Sequence, residues 1–136
     1  MVSLKHFFIL HLSLIERVNS MENITIYYKE NSEDCLQTIQ WFKEHDIIVD
    51  LKRIDTITYR EIFQLIYLSG LDIPDILKRS KKFSFLCLRS KLNKLRFSEG
   101  LSFLELHTEL LEIPIVLSDK HAVSGYDEQQ IKSFLL

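Results

Sequence analysis

The chain carries two thiols, and one of them, Cys35, follows the polar stretch Ser32-Glu33-Asp34. A cysteine at the start of a helix can act as a nucleophile or a redox group, because the helix dipole favours the thiolate. The carboxylates of Glu33 and Asp34 oppose that effect. No second thiol stands beside Cys35, and nothing in the sequence brings Cys87 within bridging distance. Cys35 is therefore either a small buried thiol without redox duty, which is the favoured interpretation, or the single thiol of an oxidoreductase.

Motifs for other chemistries are missing from the sequence. It contains no glycine-rich dinucleotide motif, no phosphate-binding loop and no His-Glu-x-x-His, and its five histidines lack the spacing of metal ligands. Two cysteines cannot form a disulfide scaffold or a four-cysteine zinc site, which indicates a reducing compartment. No apolar run approaches the roughly 20 residues needed to span a bilayer. We therefore expect no metal, no cofactor and no membrane span.

The formal net charge of −2 over 136 residues conceals a strong asymmetry. Residues 52–96 contain eleven basic side chains and four acidic ones, and residues 76–98 contain eight bases and no acid. One interpretation is a solvated face whose counter-charges come from another part of the fold. The other is a surface that meets an acidic protein or a nucleic acid backbone. The charge pattern alone leaves both open.

The length and the apolar content of 46 % are typical of one globular domain, and its first half predicts alternating strands and helices. β-branched and aromatic side chains indicate the strands, and polar caps and a C-terminal glycine indicate the helix ends. The predicted elements are a strand at residues 24–28, a helix from Asn31 or Ser32 to about His45, a strand at residues 47–54, and a helix from the capping box of Thr58 and Glu61 to Ser69-Gly70.

The second half predicts a helical insert followed by two strands and a last helix. Together the elements have the order β-α-β, a helical insert at about residues 58–111, and β-β-α. The predicted elements are a short helix at Pro74, a basic run that is helical with breaks, a helix from Ser98 or Glu99 with Leu101, Leu104 and Leu110-Leu111 on its apolar face, strands at residues 113–117 and 123–126, and a helix capped by Asp127.

Residues 1–20 resemble the charged and hydrophobic parts of a secretory signal, with Lys5 followed by an apolar run at residues 7–15. The run is interrupted by His11 and Ser13, and no small-x-small cleavage site follows it. A start codon assigned too far upstream, with Met21 as the initiator, is the favoured explanation. We therefore expect a dispensable N-terminal extension and one domain at residues 21–136.

The order of elements, with a cysteine at the start of the first helix and a proline opening the third strand, is similar to the thioredoxin fold. Three stretches resemble the Spx regulators of the arsenate reductase (ArsC)/Spx family. They are Ile24-Thr25-Ile26-Tyr27-Tyr28 with Cys35 following, Leu77-Lys78-Arg79-Ser80-Lys81, and Ile113-Pro114-Ile115-Val116-Leu117 leading to Gly125-Tyr126-Asp127-Glu128-Gln129-Gln130-Ile131. The resemblance covers about residues 23–136 and implies an α/β, thioredoxin-like fold. We expect a cis peptide bond before Pro114.

The resemblance implies a protein that binds RNA polymerase instead of turning over a substrate. Spx-type regulators dock on the C-terminal domain of the polymerase α subunit, and the glycine important for that contact is matched here by Gly70. Basic residues implicated in function on the promoter are matched by Arg79 and Lys81. Gly70 is equally well explained as a left-handed helix C-cap, and one residue can do both.

Two departures from the family concern its chemistry. The Cys-x-x-Cys pair of the redox sensor is reduced here to Ser32 and Cys35, and the nucleophilic cysteine of the arsenate reductases also falls at Ser32. Ile113 stands where the reductases have an arginine just before the strand-opening proline, so that Arg79 alone matches a family anion-binding arginine. A serine without a general base is a poor nucleophile, and the lost arginine removes an oxyanion ligand. We therefore expect no catalytic residues.

The leading hypothesis is a cytoplasmic, non-enzymatic, Spx-like transcription regulator without the redox pair. Its expected partner is the C-terminal domain of the RNA polymerase α subunit, and it would reach promoter DNA only through polymerase. Free in solution, the chain is expected to be a monomer. The alternative is a glutaredoxin- or arsenate-reductase-like thiol oxidoreductase that uses Cys35.

Overall fold

The structure, a computed structural model, describes residues 23–135, so the predicted N-terminal extension lies outside the described residues. Strands and helices alternate first, then helices follow one another, and two strands and a short helix complete the chain. The elements are β1 (Ile24–Tyr28), α1 (Glu33–Glu44), β2 (Val49–Arg53), α2 (Tyr59–Ser69), α3 (Phe83–Asn93), α4 (Phe97–Leu106), β3 (Ile115–Leu117), β4 (Ala122–Ser124) and α5 (Glu128–Ile131), with 3-10 turns at Ile54–Thr56, Ile73–Ile76, Thr108–Leu110 and Lys132–Leu135.

The four strands form one mixed sheet in the order β2-β1-β3-β4. β1 is parallel to β2, with Ile24 opposite Val49, and β3 is antiparallel to both β1 and β4. A parallel pair needs a crossover connection, which α1 supplies, whereas the antiparallel pair β3–β4 is joined by a short turn. The predicted thioredoxin-like α/β fold is confirmed.

Each face of the sheet is covered by its own apolar cluster. Because side chains alternate along a strand, Ile26 of β1 lies in one cluster and its neighbour Tyr27 in the other. The first cluster joins the sheet to the helical insert and contains Leu65, Leu101 and Leu104. The second joins it to α1 and the C-terminal turns. The two sides of the sheet are therefore built from different parts of the chain.

The local signals at the helix ends match the structure. The Ser32 hydroxyl caps α1, and Thr58 and Glu61 form the complete capping box of α2. Gly70 ends α2 in the left-handed conformation, at φ 72°. Each of these signals acts within one helical turn, so distant parts of the chain do not alter it.

Several predicted boundaries in the second half were wrong. Residues 77–82 are extended, and α3 begins only at Phe83. The next helix, α4, begins at Phe97 and ends at Leu106, so Leu110 and Leu111 do not lie on it. β4 covers Ala122–Ser124 instead of residues 123–126. For residues 77–78 the boundary is set by pairing with residues 110–111 of a distant segment.

Candidate functional site

The N-terminus of α1 holds Ser32 and Cys35, the two sequence-based candidates for a redox site. The Ser32 hydroxyl accepts a hydrogen bond from the backbone N–H of Cys35, with 3.3 Å between the oxygen and the nitrogen. Cys35 is only 1 % exposed, in the first turn of α1. The serine therefore caps the helix and the thiol is buried beneath it. In this conformation a reactant in solvent does not reach the Cys35 sulfur.

Cys87 lies on α3, in the helical insert, and is partly buried. Both cysteines are free thiols. No group of three or more His, Cys, Asp or Glu residues that could hold a metal ion occurs in the described part of the chain. No helix within residues 23–135 is long and apolar enough to cross a membrane.

Gly70 lies exposed at the C-terminal end of α2. Its N–H donates to the carbonyl of Ile66, which closes the last turn of the helix. A Cβ atom at this position would have nothing within 4 Å, so the space in front of Gly70 is open. The glycine is needed for its left-handed backbone and not because the fold itself crowds the site. An approaching partner could use that open space.

Arg79 and Lys81 lie in the extended segment between the Ile73–Ile76 turn and α3. The segment is held to the strand-entry loop: the N–H of Lys78 donates to the Leu110 carbonyl at 2.8 Å, and the N–H of Arg79 donates to the Glu112 carboxylate at 3.3 Å. An isolated bridge also pairs Leu77 with Leu111. Both basic side chains are exposed, and neither forms an ion pair with another residue in the range 23–135. They are thus available to an anionic partner.

A cleft of about 600 Å³ lies where the insert meets the N-terminal end of α1 and the C-terminal end of β4. It brings Arg79 together with Asp34, which stands between Ser32 and Cys35 in the sequence. Lys81 and Gly70 do not line it, although Leu71, the residue after Gly70, does. Its charged lining residues are Asp34, Asp75, Arg79, Arg89, Glu112 and Asp127. With four carboxylates and two guanidinium groups, the cleft lacks the surplus of positive charge that an oxyanion site requires.

Pro114 follows a cis peptide bond and stands at the entry to β3. Its carbonyl accepts a hydrogen bond from the N–H of Gly125 at 2.8 Å, which ties the end of β4 to this loop. Gly125 has φ 82° and lines the cleft. The side chain before the proline is that of Ile113, which packs against the core cluster of the insert side. This loop therefore shapes the wall of the cleft, and its charged side chain in the cleft is the acidic one of Glu112.

Arg79 is the sequence-based site candidate that lines the cleft, and two of the other lining residues, Arg89 and Ser124, have polar groups of particular interest. Arg89 reaches back from α3 and donates a hydrogen bond from Nη2 to the Pro74 carbonyl at 2.8 Å. The Ser124 Oγ atom is buried and has no hydrogen-bond partner within residues 23–135. Arg89 could have been found as the single arginine of its helix, whereas no sequence signal marks Ser124.

Comparison with known proteins relates the whole domain to one group. A protein of Staphylococcus epidermidis named global transcriptional regulator Spx is 26 % identical over 114 residues, which are 82 % of this chain and 86 % of that protein. A Listeria innocua protein of the same name is 25 % identical over the same shares. The chain is thus a relative of proteins named Spx transcriptional regulators. No family model matches the chain.

Several solved structures have the same fold as this chain. A Staphylococcus aureus protein solved by NMR has a TM-score of 0.70 and 24 % identity, covering 81 % of this chain and 96 % of that one. A putative ArsC family related protein from Bacteroides fragilis has a TM-score of 0.72 and 21 % identity, covering 82 % and 98 %. An arsenate reductase from Vibrio cholerae has a TM-score of 0.67 and 17 % identity, covering 85 % and 98 %. The chain therefore resembles proteins named as regulators in sequence, and proteins named as arsenate reductases or ArsC-related proteins in fold.

Proposed function

We propose that the protein is a transcription regulator that binds the C-terminal domain of the RNA polymerase α subunit through Gly70 and the nearby basic residues Arg79 and Lys81. The observation that carries the proposal is the open, exposed surface at Gly70, in a chain whose relatives are named transcriptional regulators. A partner can approach the backbone closely there, because no side chain stands in the way. The unpaired cations add an electrostatic contribution that speeds encounter.

The regulator acts without the family's intramolecular redox switch. The position of the first thiol holds Ser32, whose hydroxyl is engaged as the cap of α1. Cys35 is buried, and both it and Cys87 are free thiols in the structure. Its activity would then follow the amount of protein in the cell and not its oxidation state.

The competing function is a thiol oxidoreductase that uses Cys35. Two features speak against it: the 1 % exposure of Cys35 and the absence of a cationic side chain at Ile113. A nucleophilic cysteine is normally accessible and lies in electropositive surroundings. The cleft beside Cys35 carries more acidic than basic groups, which opposes the approach of an oxyanion. We therefore favour a non-enzymatic protein.

The remaining features of the proposal concern location and assembly. The protein would act in the cytoplasm, as a monomer until it meets polymerase. Contact with promoter DNA would be made as part of the polymerase complex, with Arg79 and Lys81 close to the phosphate backbone. Binding that depends on exposed cations weakens as salt screens them, with a Debye length of about 8 Å at physiological ionic strength.

The test measures binding of the full chain to the purified C-terminal domain of the polymerase α subunit at two salt concentrations. We expect Gly70→Arg to abolish binding, and Gly70→Ala to reduce it less, because alanine brings the same backbone strain with little bulk. Arg79→Glu combined with Lys81→Glu should slow association more than it speeds dissociation. The matched control reverses two exposed lysines outside the basic segment, Lys120→Glu with Lys132→Glu, and should bind as the wild type does.

A second assay asks whether the chain is an enzyme. Arsenate and disulfide reduction are measured for the wild type and for Cys35→Ser, and we expect no turnover from either. Turnover that disappears in Cys35→Ser would establish the oxidoreductase. Wild-type affinity for the polymerase domain in both Gly70→Arg and the charge-reversed protein, each shown to be folded by circular dichroism, would end the regulator proposal in this form.

A further inference from the structure

The helix α3 has apolar side chains on both its inner and its outer side. On the inner side Phe85, Leu88 and Leu92 pack against the core cluster of the insert. On the outer side Phe83 is 82 % exposed and Leu86 is 48 % exposed. A surface helix normally turns a polar face to solvent, and a helix that is apolar all round is normally covered. Within residues 23–135, no other segment covers Phe83 or the exposed part of Leu86 on the outer face of α3.

The outer residues form one continuous stripe. Phe83, Leu86, Cys87 and Ser90 stand at positions i, i+3, i+4 and i+7, so they lie one above another over two turns. Cys87 is partly buried and Ser90 is exposed. We call these four residues the α3 stripe. Spacing of this kind is how one helix packs lengthwise against another.

Three lysines flank the α3 stripe and are the charged residues of its rim. Lys82 precedes the first turn, Lys91 lies in the last turn, and Lys94 follows the helix. Within the described residues none of these three lysines forms an ion pair. The first turn contains no acid, and no side chain caps it, so its free N–H groups add to the positive potential there. A carboxylate-bearing partner is the complement of this rim.

We propose that the α3 stripe docks an acidic amphipathic helix of a partner protein. The partner's apolar side chains lie on Phe83 and Leu86, and its carboxylates face Lys82 and Lys91. A nucleic acid would meet the lysines and leave the apolar centre of the stripe uncovered, since base edges and phosphates are polar. A lipid surface needs a broader apolar face than two exposed side chains provide. This contact uses residues other than Gly70, Arg79 and Lys81, on which the proposed polymerase contact rests.

The test uses the full chain and a short synthetic helical peptide as the probe. The peptide carries leucine at i, i+3, i+4 and i+7 and glutamate at the flanking positions, and its control carries lysine in place of each glutamate. Binding is measured by fluorescence anisotropy at low and physiological salt. We expect the acidic peptide to bind with an affinity that falls as salt increases, and the lysine peptide not to bind.

Substitutions then locate the contact. Phe83→Ser with Leu86→Gln should weaken binding of the acidic peptide about tenfold or more, since anchors at the centre of an interface carry most of its energy. Leu106→Gln removes an apolar side chain of similar exposure, 78 %, from the end of α4 and should change nothing. Lys82→Glu with Lys91→Glu should weaken binding, whereas Lys120→Glu with Lys132→Glu should not. Gly70→Arg should bind the peptide normally, which separates this proposal from the proposed function.

Cys87 provides a second, independent readout from the centre of the α3 stripe. Bound acidic peptide should slow alkylation of Cys87 by a maleimide, and Cys87 that is already alkylated should bind the peptide more weakly. No binding, or equal binding of the lysine peptide, would overturn the proposal. The proposal would also be overturned if the acidic peptide failed to bind while phosphatidylserine vesicles or duplex DNA bound the wild type and not Phe83→Ser with Leu86→Gln.

Two further outcomes would assign the α3 stripe to another occupant and overturn the proposal. The first is concentration-dependent dimerisation of the wild type that is abolished by Phe83→Ser with Leu86→Gln, which would identify a second copy of the chain. The second is alkylation of Cys87 that is slow in the free wild type and fast in Phe7→Ser with Phe8→Ser. That result would identify the chain's own first residues as the occupant of the α3 stripe.

Discussion

Substitution of Gly70 tests whether the glycine is required by its own backbone or by its surroundings. Gly70 has φ 72°, a conformation that costs an ordinary L-residue about 1–2 kcal/mol. A Cβ there would have nothing within 4 Å, so no steric cost is added. We therefore expect Gly70→Ala to lower the free energy of unfolding by about 1–2 kcal/mol. In a domain of this size that corresponds to a fall in Tm of about 4 °C per kcal/mol.

Gly125 supplies the matched comparison. It has a similar φ, 82°, but a Cβ there would lie 3.2 Å from Cγ of Glu112, whose carboxylate accepts the hydrogen bond from Arg79. Gly125→Ala should therefore lower the free energy of unfolding more than Gly70→Ala does, by about 2 kcal/mol or more, because steric crowding adds to the backbone strain. Gly70→Asn should cost less than Gly70→Ala, since asparagine tolerates the left-handed region.

The assay is urea unfolding of the four proteins, followed by circular dichroism under identical conditions. The order of stability should be wild type, Gly70→Asn, Gly70→Ala and Gly125→Ala. If Gly70→Ala destabilised the fold as much as Gly125→Ala, the surroundings of Gly70 would be closed, and our account of this position would be refuted. Loss of polymerase binding in Gly70→Arg could then reflect a damaged fold.

Three further predictions concern the caps and the thiols. Burial raises the pKa of the Glu61 carboxyl above its ordinary 4.5, with the N–H of Thr58 opposing the shift. The fold therefore favours the protonated acid. This contribution to the free energy of unfolding is complete below pH 4.5 and is lost as the pH rises through the raised pKa. Glu61→Gln keeps the hydrogen-bond acceptor of the cap and should remove this pH dependence, as measured by urea unfolding at a series of pH values. Ser32→Ala should lower the free energy of unfolding by about 1 kcal/mol in the same assay, because the α1 cap is lost. An unchanged free energy of unfolding would contradict the capping role. In the native protein iodoacetamide should modify Cys87 well before Cys35, as judged by mass spectrometry, and equal rates would show that Cys35 is accessible.

Several features of the protein were determined by short stretches of sequence. The run at residues 24–28 is β-branched and aromatic and forms β1, and the capping box at Thr58 and the glycine at position 70 bound α2. Ser32 likewise caps α1 by accepting a hydrogen bond from the residue three positions on. The helix-end signals work because the interacting groups lie within one turn, so the chain loses little entropy in bringing them together.

Tertiary contacts decided where the basic residues lie and what surrounds them. The segment that holds Arg79 contains a helix-compatible sequence, yet it is extended, because it pairs with Leu111 and Glu112 more than 30 positions later. The cleft likewise assembles Asp34, Arg79 and Asp127 from three distant parts of the chain. The exposed apolar stripe on α3 has the same origin, since the sequence shows apolar residues on two sides of a helix but not which side the core covers. Such choices depend on the packing of the whole domain, which no single stretch of sequence contains.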